Sequence, residues 1–590
     1  MSSGRPAQTQ RPWPRPWVWV CGLPALWSIL TSLTQGFFLE WHGIRLSSRS
    51  PTRPFLVTLL VLAWAVWRYG REGIARDLAF FRLEIDLTRW ATPLALLVSF
   101  LTLGVGLTWA TRVAGGSDSW GYLSEAKLWA DGDLIVEQPI ASQVPWPRAN
   151  ETFAPLGYIP KGNDGTIVPI YAPGYPMLMA LLSTLHPGAI FWVVPLAGAL
   201  LVWMSYRLGR ALGGPAAGLV TCTLVATSPA FLLLLVAPMS DVVVASLWLT
   251  ALVIAIPNRP DTWLGAGTVS SLAILVRPNT APLAAIFFAG ALWNWRDTQA
   301  LAGVRARFMK VLAYGTGTVP GVLSVAAIQT ALYGGPFKSG YGPATDLFAW
   351  SNFVPNSVNY LRWLLESETP IVCLALAAPF FVTGAPKRWL LMMTALCAVG
   401  TWTCYVFYLV FDAWWFLRFL LTAFPCILAM TAVSLTGLAS RTGSWAEVPV
   451  AAAILATVVV WRVGYAQDAG VFRSWQHERR YVAAGEHISQ HLDRNAILYS
   501  GQHSGSLRYY AQRLTLRWTV LDAAWMDRSI SPLKEMGYRP YFVLEDGELD
   551  EFRSALAGKS RYGSLDWPPL AAIKSGAAQT VWVYDPDAAK

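Results

Sequence analysis

Residues 91–123 read ATPLALLVSFLTLGVGLTWATRVAGGSDSWGYL. Up to Thr111 the run is apolar and uncharged, long enough to cross a bilayer, for which about 20 such residues suffice. It stops at Arg112. Two glycines follow, then Asp118 among serines and aromatics. An acid held close to membrane depth is costly and is a functional candidate by default. This stretch therefore predicts a polytopic membrane protein with its chemistry at one membrane face.

Composition agrees. The 590 residues are 54% hydrophobic and 14% charged, against roughly 25% charged in soluble proteins. A single water-soluble core, a disordered chain and a disulfide scaffold are excluded. The deficit is uneven: from Gln467 onward there are about 30 charges in roughly 124 residues, acids and bases balanced. The net charge of +10 thus belongs to the part before Gln467, where the bases cluster between apolar runs. That pattern speaks of membrane topology and not of nucleic acid. The six cysteines lie in or beside apolar runs, with no metal-type spacing.

Read outward from Ala91–Thr111, the other expected spans are Trp17–Phe38, Pro54–Arg68, Pro187–Tyr206, Gly214–Val236, Ser240–Ile256, Thr262–Val276, Asn279–Trp295, Met309–Leu332, Pro370–Thr383, Trp389–Phe411, Leu417–Leu438 and Val448–Tyr465. That makes about thirteen. Arg5, Arg11, Arg15, the run from Arg68 to Arg89, Arg207, Arg210, Arg296, Arg305, Arg307, Lys310, Lys387, Arg388 and Arg441 then share one side, the cytoplasmic one. Arg45, Arg49 and Arg53 dissent. The chain thus divides into an N-terminal extension with two spans (1–90), a transmembrane part (91–465) with a large outer loop (112–174), and an outer C-terminal α/β domain (466–590). In the loop, Tyr122, Leu123, Ala126, Leu128 and Trp129 suggest a helix lying on the membrane.

Under that topology Asp118, Asp241, Arg277, Asp412 and Arg418 all fall at the same outer face. Taken singly, Arg277 or Arg418 serves equally well as a headgroup anchor, and Asp241 as a helix cap. Their convergence is the signal. Asp131-Gly132-Asp133 has the pattern of a metal-chelating D-x-D, but Asp-Gly is an ordinary turn. His487 and His491, four apart, lack a fitting third ligand. No metal and no certain cofactor is expected.

Four stretches together resemble the GT-C glycosyltransferases, polytopic enzymes that take sugar from a polyprenyl-phosphate carrier, and most of all the bacterial relatives of the protein mannosyltransferases and the aminoarabinose transferase. They are Ser117-Asp118-Ser119-Trp120-Gly121-Tyr122-Leu123, Tyr171-Ala172-Pro173-Gly174-Tyr175-Pro176, Val276-Arg277-Pro278 and Leu417-Arg418-Phe419-Leu420-Leu421. The family's loop-opening acid is often Asp-Glu, whereas Ser119 follows Asp118 here; the base nearest the loop's closing proline is Lys161.

The resemblance implies a GT-C-like helical membrane fold and inverting transfer of a hexosyl or pentosyl group, with Asp118 as catalytic base. Arg277 and Arg418 would hold the leaving phosphate, with Tyr122, Lys161, Tyr171, Asp241 and Asp412 completing the donor site. The implied partners are a polyprenyl-phosphate-linked sugar, a glycan, lipid or protein acceptor, and membrane lipids, with no nucleic acid. The implied setting is a bacterial plasma membrane, N-terminus cytoplasmic and C-terminal domain extracytoplasmic. A transporter or lipid flippase is the rival reading. Transporters place such charges near the bilayer midplane within inverted repeats, and here the charges sit at span ends with no repeat visible. A third reading is an assembly or sensor protein whose tail binds a cell-wall polymer.

Overall fold

The computed structural model describes residues 15–34, 37–41, 44–48, 52–79, 87–293, 300–441, 447–576 and 579–589. Arg5, Arg11, Arg49, Arg82 and Arg296 lie outside them. Among the described residues, five helices are long and apolar enough to cross a membrane: Arg89–Trp109, Pro187–Gly213, Gly303–Tyr333, Ala385–Val406 and Trp414–Ser440. Two bent pairs raise the number to seven: Pro215–Ala226 with Pro229–Leu235, bent by 61°, and Trp350–Glu368 with Pro370–Phe380, bent by 97°. The chain is an integral membrane protein.

Fewer than the thirteen expected spans reach that length among the described residues: Ser240–Ala255 and Pro260–Val276 are uncut but only 16 and 17 residues long, and other apolar runs are cut. Proline lacks an N–H and clashes with the preceding turn, and new segments begin at Pro229, Pro278 and Pro370. The expected span Asn279–Trp295 runs at its end outside the described residues; up to residue 293 it is a 3-10 turn, Pro278–Thr280, followed by the short helix Leu283–Leu292. The first expected span ends early: its helix stops at Thr34, and Phe37–Trp41 pairs antiparallel with Ile44–Ser48. Pro54–Arg68 lies within a longer helix, Thr52–Ala79, kinked at Gly70 with φ 63°.

The two bends meet at one buried pair. Arg462 lies 2.9 Å from the Glu368 carboxylate, both side chains fully buried. It also donates to the carbonyls of Leu224 (2.8 Å) and Glu368 (2.9 Å), which lie beside the two bends. Ser228, at one bend, donates to the same carboxylate. Carbonyls freed by a bend at membrane depth must find donors inside the protein, and a guanidinium supplies several at once. Elsewhere the helices close on small residues. A Cβ on Gly267 would lie 2.3 Å from the Tyr314 carbonyl, and one on Gly317 2.6 Å from that of Leu264. This is the close backbone approach that small residues permit in membranes.

After the span Arg89–Trp109 the chain forms the helix Asp118–Asp131. Its residues 120–126 are buried, so its apolar face is packed inside the protein and does not lie on a membrane surface. A three-stranded antiparallel sheet follows, in the order Val136–Glu137, Thr166–Pro169, Tyr158–Pro160. The charged tail builds a five-stranded mixed sheet. Ala496–Tyr499 runs parallel to Leu514–Leu516 and Arg539–Glu545, and Val581–Tyr584 runs antiparallel to Arg539–Glu545 and Ala571–Ile573.

Loop and tail share a core: Ile140, Trp146 and Phe153 pack in one cluster with Trp518, Phe542 and Phe552. Arg508 pins the two together, donating to Gln138 (2.9 Å) and the Phe153 carbonyl (2.5 Å) of the loop and to Thr515 (2.7 Å) of the tail.

Candidate active site

Gly116 takes φ +57°, a left-handed conformation glycine adopts without strain. The turn it makes starts the helix Asp118–Asp131 and delivers Asp118 to its first residue. The carboxylate is held on both sides. Oδ2 accepts from Arg418 Nη2 at 3.0 Å and Oδ1 from the Tyr171 hydroxyl at 3.1 Å. Ser117 Oγ lies 2.8 Å from the same hydroxyl. Burial, then the charge of Asp118, hold the Tyr171 phenol well above its ordinary range, so it serves as a donor. Burial raises the Tyr122 phenol likewise.

A second ion pair faces the first. Arg277 caps the C-terminus of the helix Pro260–Val276. Asp241 stands in the first turn of Ser240–Ala255. The two meet at 2.8 Å, with the Asp241 side chain 1% exposed and Arg277 14%. Arg277 Nη2 also donates to Ser240 Oγ at 2.8 Å, and Ser240 lies 3.1 Å from the Tyr122 hydroxyl. Arg418 closes the circuit. Its guanidinium carbon lies 5.2 Å from the centre of the Phe419 ring and its Nη1 3.8 Å from Met239 Sδ. The fork is thereby fixed in direction, as a planar guanidinium on an aromatic face is.

Both pairs open into one cavity of about 340 Å³. Tyr341, Tyr405 and Tyr408 are part of its wall. Val325 and Ile328 of the apolar helix Gly303–Tyr333 line it too, as do Phe337 and Phe348. The cavity is therefore amphiphilic, with ion pairs and apolar side chains in a single lining.

Of the residues singled out in the sequence, Asp118, Tyr122, Tyr171, Asp241, Arg277 and Arg418 line this cavity. Lys161 does not: it is exposed, its backbone N–H bonded to the Thr166 carbonyl at 3.0 Å. Asp412 is exposed and also outside the lining. Asp131-Gly132-Asp133 is a helix end, Gly132 at φ 82° donating to the Leu128 carbonyl. His487 and His491 stack with ring centres 4.1 Å apart. Among the described residues no group of three or more His, Cys, Asp or Glu side chains is arranged to hold a metal.

The ArnT structure from Cupriavidus metallidurans, bound to undecaprenyl phosphate, superposes with a TM-score of 0.50 at 13% identity, covering 85% of this chain and 98% of that one. The chain has the GT-C fold. Two further solved structures align more loosely. The Archaeoglobus fulgidus oligosaccharyltransferase gives TM-score 0.45 and 11% identity over 84% of this chain and 74% of that one. The mycobacterial arabinofuranosyltransferase AftD gives 0.47 and 14% over 84% and 40%. Residues 171–312 match the family described as dolichyl-phosphate-mannose-protein mannosyltransferase. No curated protein sequence matches the chain. The matched stretch carries Tyr171, Asp241 and Arg277, whereas Asp118 and Arg418 lie on either side of it.

Sequence reasoning missed Ser240, Tyr341, Tyr405 and Tyr408 as parts of this cavity. Ser240 had a signal, since Ser-Asp before an apolar run was legible as a helix start. The three tyrosines had none, because aromatic residues near span ends are the ordinary composition of a membrane interface.

Proposed function

We propose that this chain is a membrane glycosyltransferase that moves a sugar from a polyprenyl-phosphate carrier to a hydroxyl acceptor, with inversion. The observation that carries the reading is the pairing of two carboxylate–arginine couples in one cavity whose lining continues onto a membrane-facing helix. Such a cavity suits a substrate with an anionic head and an apolar tail. The match to a mannosyltransferase family and the ArnT-like fold support the same class.

In the reaction, the acceptor O–H gives its proton to the Asp118 carboxylate. The acceptor oxygen bonds to the anomeric carbon from the face opposite the phosphate. The bond between that carbon and the phosphate oxygen breaks, and its electron pair leaves with the polyprenyl phosphate. Arg277 and Arg418 compensate the charge gathering on that phosphate. Fixed donors aimed at developing charge are the largest catalytic contribution in many enzymes, and proton removal by a placed base adds to it. Asp241 and Ser240 keep the Arg277 fork in place. Tyr171 and Ser117 orient Asp118, and Tyr122 braces Ser240. We place the cavity at the extracytoplasmic face of a bacterial plasma membrane, with the N-terminus cytoplasmic and the tail outside.

The test uses purified full-length protein in lipid nanodiscs with a panel of undecaprenyl-phosphate-linked sugars, reading release of undecaprenyl phosphate. The wild type should release it and Asp118→Asn should not, while still inserting. Transfer retained by Asp118→Asn overturns the base assignment. Translocation of the intact lipid in vesicles, with no sugar released from any donor, establishes the transporter reading instead.

A further inference from the structure

The turn that delivers Asp118 is gripped by the tail, more than 350 residues further along the chain. It is seated at four points, three of them on its backbone. The Ala114 N–H donates to the Tyr510 hydroxyl at 2.8 Å. Gly115 lies so close to the helix Ser474–His491 that a Cβ there would stand 2.4 Å from Glu478 Oε2 and 2.5 Å from the Tyr481 ring. A Cβ on Gly116 would lie 3.4 Å from Gln502 Nε2. The fourth point is Trp120, two residues past Asp118. Its ring lies flush against Gly505, where a Cβ would stand 2.0 Å from Cδ1.

The Trp120 seat is tied down on its other side too. Its indole N–H donates to the Leu156 carbonyl at 3.0 Å, and the Leu156 N–H donates to Ser504 Oγ at 3.1 Å.

The gripping surface is itself rigid. Tyr481 accepts from Gln502 and from Arg480, each at 2.9 Å. Arg480 reaches Glu545 at 3.0 Å, and His503, fully buried, lies 3.2 Å from the same carboxylate. This network joins the helix Ser474–His491, the turn 501–503 and the sheet strand Arg539–Glu545 into one block. None of its members lines the cavity. A side chain fixed by packing and by a supporting shell of hydrogen bonds holds its functional atom far more narrowly than one on a free loop.

We infer that the tail is a positioning unit for Asp118, with Tyr481, Gly505 and Tyr510 as positioning residues that act through the turn 114–120. The inference rests on the assignment of Asp118 as the base, and explains why a membrane enzyme carries a charged tail: the tail completes the site from the side that the membrane helices cannot reach. Arg418 and Tyr171 hold the carboxylate, and the tail holds the backbone beneath it.

The test takes the full chain in nanodiscs with Gly505→Ala, which pushes Trp120 out of its seat, and Tyr510→Phe, which removes one hydroxyl. Hydrogen exchange of the Trp120 and Gly121 amides should speed up by about tenfold or more in both variants, with the strands 496–499 and 539–545 still protected. With a donor that supports transfer, kcat should fall on the order of 10- to 100-fold for Gly505→Ala, as for small misplacements of a reacting group, and KM for the donor should stay put. Tyr510→Phe should lower kcat by about fivefold, the worth of one hydrogen bond. Unchanged exchange at Trp120 and Gly121 in Tyr510→Phe overturns the inference, as does a wild-type kcat in both variants when Asp118→Asn is inactive. Transfer retained by Asp118→Asn instead removes the base assignment on which the inference rests.

Discussion

Asp118 and Arg418 stand 300 positions apart in the chain, and the carboxylate of the first accepts from the guanidinium of the second at 3.0 Å. The proposed base and one of the proposed phosphate ligands thus neutralise each other across the cavity. A phosphate that draws Arg418 toward itself releases Asp118 Oδ2 for the acceptor proton, so donor binding and base activation become one event. Arg418→Lys keeps the charge and loses the planar fork that serves both partners. It should lower kcat by about 100-fold while the protein remains inserted and folded, as steady-state kinetics and size-exclusion chromatography would read.

The second pair makes a stability prediction. Asp241 is 1% exposed, and removing one partner of a buried pair leaves the other charge uncompensated. Asp241→Asn should cost about 3–5 kcal/mol and show as a large fall in the thermal unfolding midpoint. The double variant Asp241→Asn/Arg277→Met removes the stranded charge and should recover much of that midpoint without recovering transfer. Equal midpoints in single and double variants would show that the pair is not an isolated couple.

Glu125 lies on the helix of Asp118 and is 1% exposed. Trp129 donates to its Oε1 at 3.1 Å, and burial pushes the carboxyl up from the usual 4.5 to about 8. Below 4.5 the folded and unfolded chains both hold this proton. Between the two values the unfolded chain releases it and the folded chain keeps it, so stability falls as pH rises through that window and levels off above about 8. Glu125→Gln should remove this part of the slope in unfolding midpoints measured from pH 5 to pH 9, leaving the acid end nearly unchanged.

Arg508 ties the tail to the first loop through the Phe153 carbonyl and Gln138. Arg508→Met leaves those buried acceptors without a donor, at a cost of about 2 kcal/mol or more. Limited proteolysis should then cut within residues 139–153 before it cuts the tail sheet. A protease pattern identical to the wild type would mean that the shared apolar core holds the two segments together unaided.

The balance between sequence and tertiary structure is visible at particular residues. Asp118, Arg277 and Arg418 were legible because a charge beside a long apolar run is expensive, and cost leaves a mark in one dimension. Ser240 and Tyr341 were not, since a hydroxyl or a phenol near a membrane interface costs nothing and has no distinctive spacing. Asp412 carried the same kind of signal as Arg277, whereas Lys161 came only from the resemblance, as the base nearest the loop's closing proline; both are exposed and outside the cavity. Nearness to a span end fixes a residue's depth and leaves its direction open.

The spans show a similar division. Apolar runs announced membrane helices correctly in kind. Their bends at Thr227–Ser228 and at Thr369 depend on Arg462 meeting the carbonyls of Leu224 and Glu368, partners 238 and 94 positions away.

By itself, then, the sequence determined that this chain lives in a membrane, that its rare charges gather at span ends, and which acids and arginines are the candidates for its chemistry. Hydrophobicity and charge are properties of single residues, and they survive reading in a line. Only the tertiary structure decided that Asp118 pairs with Arg418 and Asp241 with Arg277, and that a tail with an unremarkable soluble composition seats the turn beneath Asp118. Those are contacts between distant segments, set by how helices cross and where their backbones are cut, and no local pattern encodes them.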